Sequence, residues 1–243
     1  MSAAASVKSL ARAAALKGQA ALGLGGASAG GLSLPHFVTR ALYWGLLASG
    51  VTYALFQKKL LPKPVARFVS VVFFFPTYPV TFLLRWKNWK TTVDDTLVLG
   101  VAPMSVLGHP DQLYKLGVRG VVNMCHEYSG PQGAYASLGI RQLRLPTVDH
   151  FEPTVENIEE AIKFIKYYKD RGEKVYVHCK AGHGRAACIA LCWMLYDDPK
   201  LSAKEANSIL CSKRKVRPTL FKQKGVSSIK DKIDRGQGIG AKD

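Results

Sequence analysis

Two patterns of apolar residues divide the chain. In the first part, apolar residues run without a charge from Ala41 to Phe56, between Arg40 and Lys58-Lys59, and again from Phe68 to Leu84, between Arg67 and Arg85. From residue 94 on, short apolar runs alternate with periodic ones. Thr96–Val101, Val118–Met124, Ile140–Leu145 and Lys174–His178 read as strands. Between and after them lie helical patterns. Ser105–Leu116 ends at Gly117. A helix opens at Pro153-Thr154, with Val155, Ile158, Ile162, Ile165 and Tyr168 recurring at three and four residues, and closes at Arg171-Gly172. An apolar helix runs from Arg185 to Tyr196 and stops before Asp197-Asp198-Pro199. Ser202 and Glu205 form a capping box for another helix, to about Ser212. This alternation predicts an α/β fold, a central sheet flanked by helices. Residues 222–243 are polar, basic and Gly-rich, and read as a flexible tail.

Charge sharpens the division. The chain has 243 residues and a formal net charge of +17. Residues 1–93 hold 11 basic side chains and no acidic one; the first carboxylate is Asp94. A domain boundary is therefore placed at 93/94, with a catalytic domain over 94–221. Residues 1–34, rich in Ala, Gly and Ser with spaced Lys8, Arg12 and Lys17, have the composition of an organelle transit peptide. Residues 35–93 read as a membrane-associated region. Each uncharged stretch would be roughly 25 Å long as a helix, at the short end for a span. Pro76 and Pro79 should kink or break the second. Arg85-Trp86-Lys87-Asn88-Trp89-Lys90 mixes Trp and cations as a lipid headgroup region does. The expected attachment is a hairpin, or one span with an interfacial segment. Five cysteines make no disulfide scaffold.

The chemistry is concentrated in Val177-His178-Cys179-Lys180-Ala181-Gly182-His183-Gly184-Arg185, between a strand and an apolar helix. Loop N–H groups and a helix N-terminus at such a junction converge on an anion. Gly182 and Gly184 permit unusual dihedrals and close approach. Arg185 can grip two phosphate oxygens at once. Cys179 stands at the start of that cradle, and a thiolate is the attacking form of cysteine. The residues that bind phosphate are thus Lys180, Ala181, Gly182, His183, Gly184 and Arg185.

Cys179 and Arg185 bracket five residues, and the segment resembles the C-x5-R signature of the dual-specificity and protein tyrosine phosphatases. Residues 96–220 are most similar to the mitochondrial phosphatidylglycerophosphate phosphatase branch, also called mitochondrial protein tyrosine phosphatase. The likeness runs through Leu97-Val-Leu-Gly100, Gly120-Val-Val-Asn-Met124 with Glu127-Tyr128, Gln142-Leu-Arg-Leu145 with Thr147-Val-Asp149, Val175–Gly182 and Val216-Arg-Pro218. The resemblance implies a cysteine-dependent phosphatase fold that needs no cofactor and no metal. It implies Cys179 as the nucleophile that becomes phosphocysteine, Arg185 as phosphate holder, and Asp149 as the acid that protonates the leaving oxygen and then activates water. Two positions depart from the family. Ala186 stands where members usually carry Ser or Thr, whose hydroxyl helps the thiolate leave; this implies a slower second step. His183 stands where close relatives often carry Arg.

Other features carry less. Lys213-Arg214-Lys215-Val216-Arg217 is a basic run that could meet substrate phosphate or solvent. Cys188 and Cys192, one turn apart on an apolar helix, read as core. His178 is expected to shape the loop. The partners implied are a membrane and a phospholipid, most naturally phosphatidylglycerophosphate, at a mitochondrial inner membrane or in a plastid. A phosphoprotein substrate, and a weakly active phosphate-binding module, remain open. A nucleic-acid partner is not expected, because it accounts for the charge and not for the Cys179 loop.

Overall fold

The computed structural model describes residues 36–239; the segment read as a targeting peptide lies outside them. The chain divides into two compact units, Met1–Leu47 and Ala48–Asp243. What is described of the first is the opening of helix α1 (His36–Gln57).

The second unit is built on a five-stranded sheet in the order β1-β2-β5-β3-β4. The strands are β1 (Lys90–Thr92), β2 (Leu97–Gly100), β3 (Val118–Cys125), β4 (Arg141–Thr147) and β5 (Lys174–His178). Only β1 runs antiparallel to its neighbour. The parallel core is covered on both faces, so successive side chains enter different clusters. Leu97, Leu99, Val122, Val175 and Val177 pack with the helices α6 (Val155–Lys169), α7 (Arg185–Asp197) and α9 (Lys224–Asp234). Val98, Val121 and Tyr176 pack on the other face with Leu113 of α4 (His109–Lys115) and Tyr135 of α5 (Gln132–Ser137).

The expected strands and the long helices appear close to their predicted bounds. Thr154 caps α6 by accepting from the Asn157 N–H, and Ser202 with Glu205 forms the capping box of α8 (Ala203–Lys213). Several expectations need correction. The Ser105–Leu116 helix is split: Gly108 is left-handed at φ 63°, with a 3-10 turn before it and α4 after it. The tail is not flexible throughout, because α9 buries Val226 and Ile229 against the core. Those apolar positions recur at helical spacing but are diluted by Lys and Ser.

The second uncharged stretch breaks at Phe73, between α2 (Lys63–Val72) and α3 (Phe74–Arg85), which with the turn after it are bent by 70°. Pro76 then falls in the first turn of α3, where a missing N–H is tolerated, and Pro79 lies inside the helix without ending it. Among the described residues no single helix is long and apolar enough to cross a membrane; the bent pair passes only jointly, by length and composition. Trp89 does not belong with an exposed headgroup belt. It stacks on His109 at 4.1 Å and meets the Tyr176 ring at 6.1 Å.

Packing crosses the composition boundary at residue 93. Phe56, Ala66 and Val69 bury themselves with Val148, and Phe151 packs against them. Phe74 and Tyr78 do the same with Ala102, whose carbonyl accepts from the Tyr78 hydroxyl at 2.5 Å. The opposite surfaces of α2 and α3 expose Phe68, Phe75, Leu83 and Leu84.

Candidate active site

The carboxyl ends of β2, β5 and β3 come level, Gly100 and Asn123 both being in register with His178. Ligands of open parallel sheets bind at that edge. Strand β5 ends at His178, and α7 starts at Arg185, so residues 179–184 form a loop between them. Gly182 is left-handed at φ 61°, and a Cβ there would lie 2.5 Å from the Gly100 carbonyl oxygen and 2.9 Å from Arg214. Gly184, the residue before α7, has φ −120° and ψ −82°, outside the regions most residues favour. Arg214 braces the loop from below: its guanidinium donates to Ala181 O, Gly182 O, Asn88 O and Thr91 Oγ1. It is a buried strut and not a free cation of the basic run.

Arg185 is 3% exposed. Nη1 donates to Glu127 Oε2 at 2.9 Å and to Thr147 O at 2.8 Å, and Nη2 to Glu127 Oε1 at 2.7 Å. Nη2 also lies 2.8 Å from Asp149 Oδ1. Burial opposes the guanidinium charge, but the two carboxylates outweigh it and hold the proton. Its Nε is buried with no hydrogen-bond partner among the described residues.

Asp149 follows β4, and its carboxylate accepts from the His150 N–H at 3.0 Å. Burial would raise its pKa, but the positive charge of Arg185 above all, then His150 and Lys180, holds it below the ordinary carboxylate value. His150 adopts φ 67°. Its ring meets Phe56 edge-on at 4.9 Å. Burial holds His150 below the usual histidine range, partly offset by Asp149.

Cys179, Asp149, Lys180, Ala181, His183, Gly184 and Arg185 line one cavity of about 190 Å³, together with Tyr53, Gln57, Thr81 and Arg217. The side chains of two of these residues also have partners within the fold. The Lys180 ammonium donates to Thr77 Oγ1 and, at 3.4 Å, to Phe73 O, and sits 5.4 Å from the Phe74 ring centre. His183 points its Nδ1 at Lys215 O, 3.1 Å away, as a donor. Arg85, whose Nη1 donates to the same carbonyl at 2.9 Å, flanks it. His178 is fully buried beside the rings of Tyr176 and Tyr128, and burial pushes its pKa down to about 3, so the ring is neutral. Cys188 and Cys192 are core residues, as expected. Ala186 is buried in the first turn of α7.

Sequence reasoning quoted Glu127-Tyr128 within the family likeness but assigned the pair no chemistry; it missed that Glu127 grips Arg185 with both oxygens. The place of Glu127 two residues after the end of β3, level with the loop, is the structural signal for that role. The wall formed by Tyr53, Gln57 and Thr81 was missed as well, because those residues lie in segments read as membrane-associated.

A nucleophile at the floor of a cationic cradle, with a carboxyl group at its rim, can receive a phosphate monoester, form a bond to phosphorus and pass a proton to the leaving oxygen. Comparison with known proteins agrees with that chemistry. Residues 98–225 match the dual specificity phosphatase catalytic domain. The chain is 34% identical over 137 residues to the human "phosphatidylglycerophosphatase and protein-tyrosine phosphatase 1", covering 51% of this chain and 67% of that protein. It is 33% identical over 132 residues to the Arabidopsis thaliana "phosphatidylglycerophosphate phosphatase PTPMT2", covering 51% of this chain and 57% of that one. The crystal structure of PTPMT1 in complex with PI(5)P superposes with a TM-score of 0.54 at 26% identity, over 61% of this chain and 99% of that one. The chain therefore belongs to the dual-specificity phosphatase family, in the phosphatidylglycerophosphatase branch, and is a phosphoric monoester hydrolase.

Proposed function

We propose that the chain is a membrane-attached phosphatase that removes the terminal phosphate of phosphatidylglycerophosphate through a phosphocysteine. The observation that carries the chemistry is the buried Arg185, with two nitrogens fixed by Glu127, Thr147 and Asp149 and the third, Nε, left without a partner. A phosphoryl group on the loop would supply that partner. The Cys179 thiolate attacks phosphorus, the P–O bond to the lipid glycerol breaks, and Asp149 gives its proton to the departing oxygen. The Asp149 carboxylate then takes a proton from water, whose oxygen attacks phosphorus and releases inorganic phosphate and the thiolate.

Asp149 is paired with Arg185 and therefore ionised. An arriving phosphate neutralises the guanidinium and places negative charge beside the carboxylate, which raises its affinity for a proton. On this reading substrate binding itself readies the acid.

Membrane attachment rests on the exposed apolar side chains of α2 and α3 and on the absence of carboxylates before Asp94. Tethering raises the effective concentration of a substrate confined to the bilayer. Mitochondrial residence rests on the composition of residues 1–34.

The test is phosphate release by the full chain from phosphatidylglycerophosphate in vesicles and from a phosphotyrosine peptide, with Cys179→Ser as control. Turnover of the lipid in preference to the peptide, lost in C179S, is the expected result. Preference for the peptide would instead make the chain a protein phosphatase. Bound substrate without turnover on either would make it a phosphate-binding module.

A further inference from the structure

The cavity holds a second guanidinium that the hydrolysis does not use. Arg217 lines it, and its backbone N–H donates to His183 O at 3.0 Å, which fixes it against the catalytic loop. Its Nη2 lies 3.8 Å from where a Cβ on Gly184 would stand, and its charge is felt at both His150 and His183. It therefore sits at the rim, between the loop that carries Asp149 and the loop that carries Cys179. Among the described residues its guanidinium has neither a hydrogen-bond acceptor nor a carboxylate partner. Arg214, three residues earlier, shows the contrast: every arm of its fork is used inside the fold. The floor of the cavity is served by Arg185. A half-buried, unsatisfied fork above it suits a second anion on the same ligand, accepted through two oxygens.

We infer that Arg217 is a specificity-determining residue that binds the phosphodiester of the lipid headgroup while Arg185 holds the terminal phosphate. This rests on the lipid reading above. Phosphatidylglycerophosphate carries the two groups one glycerol apart, whereas phosphatidate and p-nitrophenyl phosphate carry only the monoester.

The experiment compares the full chain with R217Q and R217K on these three substrates, both lipids being presented in the same vesicles. A charge-assisted contact is worth about 10- to 100-fold in binding. R217Q is expected to lower kcat/KM on phosphatidylglycerophosphate by that factor, mainly through KM, and on the two monoesters by less than about 3-fold; R217K should restore part of the loss. An equal loss on all three substrates would show a residue that merely shapes the pocket and overturn the assignment. So would an unchanged KM on phosphatidylglycerophosphate. If the unsubstituted chain hydrolyses p-nitrophenyl phosphate and not the lipid, the lipid reading itself fails and takes the assignment with it.

Discussion

Glu127 determines where Arg185 points. A guanidinium on a free side chain would sample several rotamers; here two carboxylate oxygens and the Thr147 carbonyl hold it, and all are buried. Glu127→Gln keeps the shape and removes the charge. Losing a charge-assisted bond costs about 1.5–3 kcal/mol, so kcat should fall by roughly 10- to 100-fold, and the melting temperature should fall with it because a buried charge loses a partner. Steady-state kinetics beside a thermal melt will check both. Ala186 carries a second residue-scale prediction. If its missing hydroxyl slows phosphocysteine hydrolysis, rapid mixing with p-nitrophenyl phosphate shows a burst followed by a slow steady state. Ala186→Ser should shrink the burst and raise kcat several-fold; an unchanged burst would place the slow step elsewhere.

At the scale of elements, the helices before residue 86 hold the loop that carries Asp149. Phe56 is 4% exposed and packs edge-on against His150, the residue next to Asp149. Arg67 donates to His126 at 2.6 Å, beside Glu127. Phe56→Ala should cost about 3–5 kcal/mol of stability and lower kcat on a small aryl phosphate, measurable by denaturation and by turnover. Much of the catalytic unit was legible because its signals are local: the cysteine and arginine six positions apart, the capping box at Ser202, the three-four spacing of α6. The Glu127–Arg185 pair spans 58 residues with no local signature. The side-chain partner of Lys180, Thr77, lies 103 residues away and has no signature in the loop either. Trp89 was misjudged because its flanking cations spoke louder than its fit against His109.

For the molecule as a whole, stability should depend on pH through buried histidines. Burial lowers the pKa of His109 to about 4 and that of His178 to about 3. In the unfolded chain both titrate near 6.5. Between roughly pH 6 and 4 the unfolded state therefore binds more protons, and stability present above about 6.5 is lost as pH falls. Each fully mismatched histidine contributes about 1.4 kcal/mol per pH unit. Chemical denaturation from pH 7 to 4.5 should show the decline, and His109→Gln should reduce its slope by about that amount.

The contact of Tyr53, Phe56, Ala66 and Val69 with Val148 and Phe151 has a bearing on how the enzyme can be cut. The segment that matches the family starts at residue 98. A fragment trimmed to it would keep the signature loop, Glu127 and Asp149, yet it would lose one wall of the cavity and lay bare the apolar side of Val148 and Phe151. Such a fragment would be sticky and dull, and its weakness would look like evidence for a pseudoenzyme. The smallest piece that can be judged fairly begins upstream of Tyr53, so the segment that carries Tyr53, Phe56, Ala66 and Val69 has to stay with the catalytic loops.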